Sequence, residues 1–105
     1  MELKVFWTSF AKTELKNIYD YHKKVASIQV AQKIVKSIAL ETKYLTKQPE
    51  IGQIEACLKN REQNFRYIIY SNYKIIYWIN KKEFQIEIVD VFDCRQNQIK
   101  ISRNK

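Results

Sequence analysis

One glycine, one proline and one histidine are all that this chain of 105 residues holds of each. With Pro49 and Gly52 as the only strong breakers, long loops, collagen-like repeats, flexible linkers and a many-turned β-sandwich are disfavoured. Two cysteines, Cys57 and Cys94, stand far apart with no CxxC spacing and no histidine cluster, so no metal site is expected. No signal peptide precedes the first strand-like run, which points to a reducing cytoplasm and two free thiols. No run reaches the roughly 18 apolar residues of a membrane span, so no membrane partner is expected. GxSxG, HExxH, a Walker loop and GxGxxG are all missing, and no cofactor is expected.

What is present suits one compact domain over residues 1–105. A hydrophobic fraction of 46% is enough for a single core at this length. The formal charge of +8 is spread along the chain, with a modest excess in the second half. A balance this basic favours a polyanionic partner, either nucleic acid or an acidic protein that neutralises the surface.

The hydrophobic pattern changes period twice. Leu3 to Trp7 is strand-like, and Thr8 or Ser9 then offers an oxygen to cap a helix. Ala11, Leu15, Ile18, His22 and Val25 step by four, three, four and three, which is one helical face; Phe10, Tyr19 and Tyr21 widen it. Ser27 can cap a second helix with a stripe of Ala31, Ile34, Val35, Ile38 and Leu45, ended by Pro49 and Gly52. So short a connection makes the two helices an antiparallel hairpin. After Gly52 the pattern is β. Ile54–Leu58 is a possible strand, and Phe65–Tyr70 and Tyr73–Ile79 flank a tight Ser71-Asn72 turn in which Asn tolerates positive φ. Phe84 to Phe92 follows, and Arg95 to Ile101 has room for one helical turn. The order is β-α-α-β-β-β. Each helix has one stripe to bury, so both cover one face of a small antiparallel sheet, an α+β domain.

The chemistry on offer is narrow. His22 lies on a core stripe and reads as packed rather than catalytic. Asp90 and Asp93 are spaced as a pair that can hold Mg²⁺, but their basic surroundings favour pairing with arginine. Arg66 sits inside an apolar strand and Arg95 closes the last one. A guanidinium stays charged and is costly to bury unpaired. Lys59, Arg61, Arg66, Arg95 and Lys100 are placed to flank the open sheet face, with Tyr67, Tyr70, Tyr73 and Tyr77 between or behind them. Cations hold phosphates and rings stack on unpaired bases, so this mixture suits RNA. It also suits a metal-free ribonuclease, in which arginine stabilises the charged phosphorane and a Lys or Tyr moves protons. The competing reading is structural: the rings are core, and Arg66 pairs with Asp93 between strands.

Four segments resemble one family. Trp7-Thr8 with Ala11, Leu15 and Ile18-Tyr19-Asp20-Tyr21 looks like the start of the RelE/ParE toxins of bacterial type II toxin–antitoxin systems. Pro49-Glu50-Ile51-Gly52 resembles their Pro-x-x-Gly segment after the second helix. Phe65 to Tyr77 resembles their central hairpin, and Val91 to Asn97 their last strand and its exit. The match runs in order over nearly the whole chain. It implies a toxin that arrests growth when free of a protein antitoxin, acidic in the segment that binds the toxin. It implies one of two targets. ParE-like members inhibit DNA gyrase; RelE-like members cut mRNA on the ribosome without a metal, with Arg66 and Arg95 at the matching phosphate-binding positions and Lys59, Arg61 and Lys100 as secondary candidates. After Arg95 come Gln96, Asn97, Gln98, Ile99 and Lys100, with no Tyr or His to move a proton. That departure and the long helical hairpin favour the gyrase branch; the endonuclease and a non-toxic basic binding module are the alternatives.

Overall fold

The computed structural model describes residues 3–55 and 64–95. Cys57, Lys59, Arg61 and Lys100, most of the possible Ile54–Leu58 strand and the C-terminal helical turn lie outside the described residues. β1 (Lys4–Trp7) leads into α1 (Ser9–Val25) and α2 (Ile28–Tyr44). β2 (Gln53–Ile54), β3 (Arg66–Tyr70), β4 (Tyr73–Asn80) and β5 (Gln85–Asp93) complete the sheet.

Capping follows the sequence. The Thr8 hydroxyl accepts from the Ala11 N–H at 3.2 Å and starts α1; Ser27 does the same for α2 through Val30 at 3.1 Å. Thr8 also donates from its hydroxyl to the Ile88 carbonyl at 3.0 Å, and its backbone N–H donates to the same oxygen. The start of α1 is therefore bolted to β5. The predicted α1 stripe is buried or half-buried through His22, but Val25 is exposed, because the last turn runs into the hairpin connection at Ala26.

The sheet order is β1-β5-β4-β3-β2. β2 to β5 are antiparallel neighbours, as the pattern predicts, but β1 pairs with β5 in parallel, so the sheet is mixed. Both helices intervene before β2 joins the other end of the sheet, which leaves the outer edge of β5 for β1. There Val5 and Trp7 reach the helix side. The core on that side joins Ala11, Ile38 and Leu45 from the helical layer to Ile75, Tyr77, Ile86, Ile88 and Val91 from the sheet. A smaller cluster of Phe65, Ile76, Val89 and Phe92 lies apart from it, with Trp78 against it. The change of register at Ile76/Tyr77 leaves Val89 opposite no partner, a β-bulge that lets Ile88 and Val91 both serve the main core. In the β3–β4 turn, positive φ falls on Ser71 (55°) rather than on Asn72.

Candidate functional site

Arg66 is held by backbone. Its Nη1 donates to the carbonyl of Gly52 at 2.8 Å and to that of Glu50 at 3.2 Å. The segment that carries those carbonyls is held in turn by Tyr77, which stands opposite Arg66 in the β3–β4 register. The buried Tyr77 hydroxyl donates to the Pro49 carbonyl at 2.8 Å and accepts from the Gly52 N–H at 2.9 Å. Burial pushes the Tyr77 phenol up, against the Gly52 N–H that favours its ionised form, so it stays protonated and can donate. The Pro49-Glu50-Ile51-Gly52 segment is thereby stapled to the sheet. Gly52 is required by this close approach, since a Cβ there would meet the Tyr77 hydroxyl at 2.5 Å.

Arg95 is held by its neighbour. Its Nε donates to Asp93 Oδ1 at 2.9 Å, its Nη2 donates to Oδ2, and its backbone N–H also reaches Oδ1. The hydrogen-bonded Arg95 side chain holds the Asp93 carboxyl below the usual carboxylate range, and Asp93 raises Arg95 in return. The Arg66–Asp93 pair considered from sequence does not form. Asp93 of β5 stands opposite Tyr73 and Arg66 of β3 opposite Tyr77, so the two flank different positions of β4 on its opposite edges. Four residues of strand separate those positions, or about 13 Å. Arg66 and Arg95 are thus not brought together. Asp90 and Asp93 are not brought together either: Asp90 faces Ile76, of the smaller cluster, and Asp93 faces Tyr73, of the main one.

Three elements do meet near Arg95. His22 Nε2, from the last turn of α1, shares a 2.7 Å hydrogen bond with the Tyr73 hydroxyl of β4. Tyr21 packs edge-on against the His22 ring, with centroids 5.1 Å apart. Burial first, then the charge of Asp93, pushes the Tyr73 phenol up, which keeps it protonated beside His22. The sequence placed His22 correctly on a packed face but gave no sign of its partner, 51 residues away. The sequence beyond Arg95 offers neither residue type.

The sign of the Asp93 effect on stability follows from its depressed pKa. The contribution is present above the unfolded carboxylate value, about 3.9, and is lost as pH falls through the folded one. Asp93→Asn should therefore be less stable than wild type in urea at neutral pH, and the gap should close under acid. A gap that persists below pH ~2 would assign the loss to packing instead.

A cavity of about 610 Å³ opens between the end of α2, the stapled segment and β3. Tyr44, Ile51 and Ile69 line it and are each at least half exposed. β2 covers only Arg66 and Tyr67 of β3, so the β3 edge from Ile68 to Tyr70 has no strand beside it among the described residues. An extended or helical apolar segment fits such a groove. Among the described residues no group of three His, Cys, Asp or Glu side chains is placed to hold a metal ion.

The family model described as the ParE toxin of the type II toxin–antitoxin system parDE matches residues 5–98. A chain in the structure of the chromosomal ParDE system from P. aeruginosa superposes with a TM-score of 0.70 at 19% identity. The match covers 88% of this chain and 96% of that one. A chain of the RelBE2 toxin–antitoxin complex from Mycobacterium tuberculosis superposes with a TM-score of 0.62 at 17% identity, over 89% and 99% of the two chains. No curated protein matches the chain. At these identities the structures establish the shared fold, and the family match carries the assignment: this chain belongs to the ParE toxin family of type II toxin–antitoxin systems.

Proposed function

We propose that the free protein arrests growth by inhibiting DNA gyrase through protein–protein contact, and that a protein antitoxin silences it. The observation that carries this reading is the disposition of the two arginines. The ribonuclease reading would put both on the scissile phosphate. Here Arg66 Nη1 donates to the Glu50 and Gly52 carbonyls and Arg95 to Asp93, at positions four residues apart along β4. Arg66 Nη1 is engaged by two carbonyls and Arg95 by an exposed ion pair, and the two guanidiniums flank different positions of β4, which favours a binding surface over a hydrolytic site. The apolar groove beside β3 is the place for the antitoxin segment, and the +8 charge favours an acidic one.

The test is a supercoiling assay with purified gyrase and the toxin released from its antitoxin. Supercoiling should fall as toxin is added, and induced expression should trigger DNA-damage signalling while translation continues. Normal supercoiling at high toxin excess would sink the reading.

One feature favours the endonuclease instead. The His22–Tyr73 pair lies close enough to Asp93 and Arg95 to feel their charges, and could serve as acid and base there. That alternative predicts codon-positioned cuts in translating ribosomes, lost in folded Arg66→Ala and Arg95→Ala variants. If both variants cut like wild type, the two arginines are structural.

A further inference from the structure

Three described cations of the sheet and its ends are engaged, while Lys4, Lys81 and Lys82 and the lysines of the helices form no ion pair among the described residues. Lys74 pairs with Glu55, Arg95 with Asp93, and Arg66 with carbonyls. On the helical hairpin, Lys12, Lys16, Lys23, Lys33, Lys36 and Lys43 are all exposed, and none forms an ion pair among the described residues. The helices carry only Glu14, Asp20 and Glu41 against them.

The placement is regular. On α1, Lys12, Lys16 and Lys23 recur at i, i+4 and i+11, a row of about 16 Å at 1.5 Å per residue. On α2, Lys33, Lys36 and Lys43 recur at i, i+3 and i+10, a row of about 15 Å turned away from the buried Ala31, Ile38 and Leu45. Seven lysines, Lys24 included, face three carboxylates on the two packed helices, and a polyanion that binds the excess positive charge gains by releasing its counterions.

We propose that these two lysine rows form a surface for duplex DNA, gripping the phosphate backbone without reading sequence. Neither helix contains an arginine, so the bidentate fork that reads guanine is absent from them. The choice of DNA rests on the gyrase reading in one respect: a protein that docks on a DNA-bound enzyme comes within reach of DNA. The surface would then add affinity for the gyrase–DNA complex over gyrase alone.

The experiment is fluorescence anisotropy of the antitoxin-free protein with a short labelled duplex, without gyrase, across a salt series. Six phosphate contacts give a log–log salt slope of about −5 and roughly a 10³-fold loss of affinity between 50 and 200 mM. The variant with Lys33, Lys36 and Lys43 all changed to Gln should flatten that slope by about 3. Absence of salt-dependent binding by wild type overturns the inference. So does an unchanged slope in the variant, or equal affinity for phosphatidylglycerol vesicles. Supercoiling is scored separately. If gyrase is inhibited without DNA binding, the lysine surface falls and the gyrase reading stands. If DNA binds with the expected slope and gyrase is unaffected, the reading falls and the surface stands.

Discussion

Lys74→Met is expected to destabilise the fold by about 3–5 kcal/mol, the usual cost of stranding one member of a buried ion pair. Lys74 Nζ lies 3.0 Å from one Glu55 oxygen and 2.9 Å from the other. The side chains are only 12% and 3% exposed, so solvent cannot take over when either partner goes. The ammonium also sits 4.1 Å from the centroid of the Tyr67 ring, which stabilises the cation further. A methionine of similar length fills the space and leaves the Glu55 carboxylate buried without its counter-charge. The double variant Lys74→Met with Glu55→Gln should recover much of the loss, because the buried charge is gone. Urea unfolding of the two single variants and the double would measure it. If the double is as unstable as the sum of the singles, the pair is not the cause.

Gly52→Ala is expected to cost about 3 kcal/mol, or roughly 12 °C in Tm for a domain of this size. The added methyl would lie 2.5 Å from the Tyr77 hydroxyl, 2.7 Å from the Tyr67 carbonyl oxygen and 2.8 Å from the Tyr77 ring. Two of those three neighbours are a backbone atom and a buried ring, and neither yields without moving a strand. The same shift would pull the Gly52 carbonyl from Arg66. Tyr77→Phe attacks the staple from the other side. It leaves the Gly52 N–H and the Pro49 carbonyl without their partner, at about 1–3 kcal/mol for each buried group. The two changes disable one device, so together they should cost less than their sum. Additive losses in thermal melts would show that the staple is not a unit.

These two sites mark how far the sequence could be read. Period, caps and breakers located β1, both helices, the β3–β4 hairpin and β5, because those signals are local: an apolar stripe, a Thr or Ser oxygen, a two-residue turn. They also put His22 on a packed face. They missed the Lys74–Glu55 pair, the Tyr77 staple and the His22–Tyr73 bond, whose partners stand 19, 25 and 51 residues apart. They suggested Asp93 as a partner for Arg66, since spacing does not reveal which end of a neighbouring strand a residue occupies. The parallel entry of β1 was equally invisible, because an apolar alternation does not record which edge it joins.

The sequence by itself determined the α+β class, the helical hairpin, the basic charge and the family. Each is written in residue type and short-range order, which survive without knowledge of contacts. Only the tertiary structure decided what the two arginines contact. A guanidinium on a phosphate and a guanidinium on two carbonyls are the same residue in the same strand. What separates them is register: Tyr77 brings Pro49 and Gly52 to Arg66, and the end of β5 keeps Asp93 for Arg95.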